Sequence, residues 1–154
     1  MGRPEQDVQR GLKPDLMNAQ EPTQAQLDLA EKVIASFSPC LSEYGFALAH
    51  SSLSRYFGEI VFLNGRQFVR FNWSDYPTDY PGLFRIELGW DVDKPWCCSL
   101  AELMVRAKVQ IPDSSLATLN NDPTALNRLL EAFQDHAPSK LRMTLGEFKQ
   151  WKDA

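Results

Sequence analysis

Two histidines and three cysteines are all that this 154-residue chain has of the side chains that most often bind soft metals or shuttle protons. His50 and His136 lie far apart without a paired spacing, and Cys97-Cys98 is adjacent rather than spaced as C-x-x-C. Asp91-x-Asp93 offers two carboxylates but lacks the glycine and the distal glutamate of a calcium loop. No metal motif is present, and no cofactor is expected. Glycine is sparse too. Gly58, Gly65, Gly82 and Gly89 stand singly, so no phosphate-cradling loop or dinucleotide fingerprint can be assembled.

The odd number of cysteines, without repeated spacing, excludes a secreted disulfide framework. The opening MGRPEQDVQR has no apolar segment of the signal-peptide kind. Gly2 is followed by Gln6 where a myristoylation motif wants Ser or Thr. No apolar run approaches the roughly 18 residues of a membrane span. These absences point to a soluble protein of the reducing cytoplasm. A positive patch is missing as well. The formal net charge is -4, the pI is about 5.2, and no stretch is dense in Lys and Arg. Nucleic acid and anionic membrane are therefore not expected as partners.

What the chain does have is patterned apolar sequence. Residues 1–22 are polar, carry Pro4, Pro14 and Pro22, and read as a mobile tail that cannot offset its ordering entropy. Residues 23–154 read as one domain, a size that buries a substantial core without staples. Thr23 with Gln26 predicts a capping box, followed by Leu27, Ala30, Val33, Ile34, Phe37 and Leu41 at helical spacing. Ser38-Pro39 predicts an interruption and a fresh cap, and Gly45 a left-handed terminus.

Strands follow. Residues 46–55 alternate loosely. Residues 59–63 and 66–73 predict a hairpin about Asn64-Gly65 in a type I′ turn. Residues 83–90 alternate cleanly, with Phe84, Ile86, Leu88 and Trp90 on one face and Arg85, Glu87 and Gly89 on the other. Ser99 and Glu102 predict a helix over 99–108, although Val105, Ala107, Val109 and Ile111 also alternate as a fifth strand would. Asp122-Pro123 predicts the start of a helix with Leu126, Leu129, Leu130 and Phe133 inward. Thr144 with Glu147 predicts another. The sum is an α+β fold: an N-terminal helix, an antiparallel β-meander of about four strands, and C-terminal helices on one sheet face. In architecture alone this layout resembles small bacterial domains, some toxin-immunity proteins among them.

Two surfaces carry candidate function. Residues 73–82 and 90–96 are loops in which Tyr76, Tyr80 and Trp90 are rigid amphipathic anchors, and Asp75, Asp79 and Asp91 add negative charge. With no local nucleophile–base signature, these six residues define the leading expectation. It is a non-catalytic, cytoplasmic protein-binding module, adaptor or immunity-like, for a partner that is another protein and basic. The ordinary alternative for the same residues is that the aromatics cap the core and the aspartates make turns.

The second surface is the outward sheet face, where Arg70, Asn72, Arg85 and Glu87 converge. It supports a small-molecule-binding protein or enzyme that clamps an anion. Its ordinary alternative is a cross-strand ion pair on a solvated face. Cys97 or Cys98 beside the start of a helix, with His50 or His136 as base, is a weaker nucleophile candidate. A homodimer through the sheet edge or the Trp151 helix is a third reading.

Overall fold

A computed structural model describes residues 21–76, 78 and 82–154 of the chain. The mobile-tail reading of residues 1–22 falls, apart from Glu21 and Pro22, outside the described residues, as do Asp79 and Tyr80.

Helix α1 (Gln24–Glu43) starts as the sequence predicts, with the Thr23 hydroxyl accepting the Gln26 N–H at 3.2 Å. The reciprocal arm of the capping box is absent because the Gln26 side chain is drawn inward. It donates to the Arg55 carbonyl at 3.1 Å and accepts from the Trp73 indole N–H. Leu29, Ala30, Val33, Phe37, Cys40 and Leu41 form the buried stripe, while Leu27 is exposed. Pro39 does not break the helix. Its cost of about 3 kcal/mol is outweighed by the burial of Phe37 and Leu41 on either side, both fully inaccessible. Gly45, with φ of +86°, closes the helix as expected.

Strands β1 (Ala47–Leu53), β2 (Phe57–Asn64), β3 (Gln67–Ser74), β4 (Phe84–Trp90) and β5 (Trp96–Ser99) form one antiparallel sheet in sequence order. The fifth strand is an addition to the meander. At four residues it is too short for a periodic signal. The β2–β3 hairpin turns one residue later than expected. Asn64 pairs with Gln67, so Gly65 and Arg66 form the loop. Gly65 has φ of +60° and Arg66 is not in the left-handed region, the pattern of a type II′ rather than a type I′ turn. The Asn64 amide instead donates to the Tyr44 carbonyl at 3.0 Å, which ties the hairpin to the end of α1.

The C-terminal part is helical: α2 (Leu100–Ala107), α3 (Leu116–Asn121), α4 (Ala125–His136), α5 (Pro138–Leu141) and α6 (Leu145–Asp153). The rival strand over 105–111 is not formed. Lys108 at φ 59° ends α2, and Val105, Val109 and Ile111 are left exposed. Helix α4 begins later than Asp122-Pro123 predicts, because the Asp122 carboxylate folds back onto the Thr124 N–H at 2.9 Å in a turn.

Phe62, Phe71, Ile86 and Leu88 on the inner sheet face pack with stripes from α1, α2 and α4 into one buried cluster. Phe37 joins the layers, with ring centroids 4.7 Å from Phe71 and 5.7 Å from Phe133. On the outer face Arg85 is exposed, Arg70, Asn72 and Glu87 are half-buried, and Val61 and Phe68 are buried.

Candidate functional site

The site grows out of a local mismatch at one sheet edge. Strand β5 pairs with β4 only from Glu87↔Ser99 to Trp90↔Trp96. The chain leaves as α2, and the next neighbour along this edge is the isolated bridge Leu83↔Ser115. Residues 85 and 86 of β4, between the Phe84 N–H bonded to the Ser114 carbonyl and the β5 pairing that begins at Glu87, therefore face a notch rather than a strand. The notch deepens into a cavity of about 330 Å³. Buried Phe84, Ile86, Leu100, Met104 and Leu129 make its depth. Leu83 and Ile111, 49% and 40% exposed, stand at its rim. Because β-strand side chains alternate, the notch also reaches the outer face, where Arg85 and Glu87 border it.

The four residues expected on the outer face do come together. Arg85 pairs with Asn72 across the strands, and Arg70 with Glu87. The Arg70 Nε donates to Glu87 Oε1 at 2.8 Å, and the Asn72 amide donates to the same oxygen at 2.9 Å. Arg70 is thus neutralised by Glu87 and also covers the ring of Phe68, 5.1 Å from its centroid. It is not half of a guanidinium clamp. Arg85 is exposed and has no ion pair or hydrogen bond among the described residues.

The loop residues are distributed differently. Asp75 and Tyr76 follow β3 at one end of the sheet, whereas Trp90 and Asp91 lie at the other end of β4, roughly 20 Å away at a strand rise of about 3.3 Å. Asp79 and Tyr80 lie outside the described residues. Tyr76 is 44% exposed and packs on Tyr56 with centroids 5.2 Å apart. Trp90 is half-buried against the core. Asp91 accepts two hydrogen bonds from Arg66, at 2.9 and 2.6 Å, which hold its carboxyl below the usual carboxylate range. Its charge is therefore locally balanced.

The nucleophile candidates are kept apart. Cys97 and Cys98 are neighbours in a strand, so they point to opposite faces. His50 is on β1 and the cysteines on β5, four strand spacings or about 19 Å away. The helix start beside Cys98 does not depress its pKa. Burial dominates and pushes the thiol up to about 12, and burial also raises Cys97 and Cys40. His50 instead faces Glu59 at 3.4 Å. Among the described residues, no three His, Cys, Asp or Glu side chains converge as metal ligands. No helix among them is long and apolar enough to cross a membrane.

Met104, Ile111 and Leu129 were not singled out in the sequence as site residues. One signal pointed toward Ile111 alone: it belongs to the alternation of Val105, Ala107 and Val109 that fits a strand as well as a helix, and the fold leaves it 40% exposed. The chain matches no protein-family model, no curated protein and no solved structure.

Proposed function

We propose that this is a ligand-binding protein whose site is the notch between β4, α2 and the segment at 109–115. The observation that carries this reading is an apolar cavity of about 330 Å³ lined also by Arg85, which has no ion pair or hydrogen bond among the described residues. Sites for small molecules are typically concave and apolar with a few placed polar groups, in volumes from roughly 300 Å³ upward. The ligand's apolar body replaces water against Phe84, Ile86 and Met104, and Arg85 meets its polar end. This favours the anion-binding alternative and narrows its polar set to Arg85.

The test is a thermal-shift screen of small organic molecules against the wild type and Ala101→Phe, a substitution that fills the cavity from its lining. Binding stabilises the wild type by mass action, by about 2.7 kcal/mol at 100 times the dissociation constant, and so raises its Tm; Ala101→Phe abolishes the rise. No shift with any molecule, or equal shifts in the two proteins, counts against it.

A second reading keeps the protein-binding module and rests on the exposed Tyr76, packed at a tilt on the half-buried Tyr56, beside the exposed Asp75. A tyrosine held this way suits an interface, and Asp75 suits a basic partner. Here Tyr76→Ala with Tyr80→Ala loses partner capture while the Tm stays nearly constant. Retained capture rules out this surface.

A further inference from the structure

We infer that the notch selects organic monoanions with a compact apolar body, with the ligand's carboxylate held by Arg85. This inference rests on the ligand-binding reading and concerns the chemical class the site accepts. It follows from how the charges beside the cavity are used. Glu87 borders the cavity, but its Oε1 already accepts from Arg70 and Asn72, and its ion pair among the described residues is with Arg70. Asp113 lies on the neighbouring segment, but its carboxylate is turned to the Ser115 N–H at 2.9 Å and the Thr118 hydroxyl at 2.7 Å, toward α3. Among the described residues, Arg85 is the charge beside the cavity left without an ion pair or hydrogen bond.

A guanidinium offers a planar fork of donors that matches a carboxylate in a bidentate pair. A ligand cation would bring like charge against Arg85. A dianion would carry a second charge into an apolar lining that holds no second cation among the described residues, a costly burial. Size sets the other limit. A cavity of about 330 Å³ accepts a body on the order of ten heavy atoms, at the ~30 Å³ that each water occupies in the liquid. The rim residues Leu83 and Ile111 allow a slightly longer chain to remain in apolar contact as it leaves the cavity.

The experiment is a nuclear magnetic resonance titration of the full chain with octanoate, octanol and octylammonium, three eight-carbon probes with an anionic, a neutral and a cationic head group. Wild type, Arg85→Gln and Ala101→Phe are compared, with the Tm of each variant recorded to confirm folding. The expected result is that octanoate binds the wild type roughly tenfold or more tightly than octanol, the increment of a charge-assisted hydrogen bond. Octylammonium is weakest, and the shifts map to β4, α2 and residues 109–115. In Arg85→Gln the preference of octanoate over octanol disappears while octanol binding is retained. If all three probes bind the wild type equally, and Arg85→Gln changes nothing, the anion selectivity is overturned and the cavity reading stands. If no probe binds, or binding survives unchanged in Ala101→Phe, both fall.

Discussion

Gln26 shows how much one polar side chain decides. It is 5% exposed, yet both ends of its amide are satisfied, by the Arg55 carbonyl and the Trp73 indole. It thereby pins α1 to β3 and to the turn before β2. Gln26→Leu keeps the volume but leaves the buried indole N–H without a partner, a loss of about 1–3 kcal/mol. The expected outcome is a lower urea midpoint with an unchanged m-value. Gly58 is part of the same contact, since a Cβ there would lie 2.2 Å from the Trp73 ring. Cys98 gives a residue-scale pH dependence. Its folded pKa of about 12 lies above the reference 9.0, so the folded state keeps a proton that the unfolded chain releases. The stability this contributes is fully present below about pH 9 and is lost as the pH rises toward 12. Urea unfolding at pH 8 and pH 10.5 is expected to show a larger loss for wild type than for Cys98→Ala.

At the scale of elements, α6 is held by its two ends. The Thr144 hydroxyl accepts the Glu147 N–H at 3.1 Å and the Glu147 carboxylate accepts the Thr144 N–H at 2.9 Å, the full capping box that the sequence predicts. At the other end Arg106 reaches over from α2. It donates to the Trp151 and Lys152 carbonyls at 2.7 and 2.9 Å, and its guanidinium lies 4.2 Å from the Trp151 ring. A cation on the last carbonyls of a helix also opposes the helix dipole. Arg106→Ala is therefore expected to speed hydrogen exchange within residues 145–153 and leave β2 and β3 protected, because the sheet core does not depend on that clamp. The capping box at Thr144 was legible in sequence because its partners are three residues apart. The Arg106 clamp was not, since its partners are 45 and 46 residues away.

Over the whole molecule, every helical stripe and the inner sheet face share one buried cluster, so no described element buries its apolar face independently. Unfolding is expected to be one cooperative transition. Tryptophan fluorescence, dominated by the buried Trp73, and far-ultraviolet circular dichroism should give superimposable urea curves. Separate midpoints would show that the C-terminal helices are a distinct unit. The arrangement also places the proposed site: the helices pack on the inner face, and a cavity with an apolar depth and Arg85 in its lining opens where the sheet edge is incomplete.

The sequence by itself determined what short-range rules control. The alternation of Phe84, Ile86 and Leu88, the helix caps at Thr23, Ser99 and Thr144, and the turn at Gly45 each follow from neighbours a few residues away. They were enough for the α+β class and for the polar identity of the outer sheet face. Only the tertiary structure decided that α1 runs through Pro39, that Gln26 serves the core rather than its cap, and that Arg70 pairs with Glu87 while Arg85 has no ion pair among the described residues. It also decided that a cavity opens beside residues 85 and 86. Each of these depends on contacts between residues distant in the chain. Burial and charge pairing at such contacts act only when the elements meet, and local periodicity carries no record of which elements will.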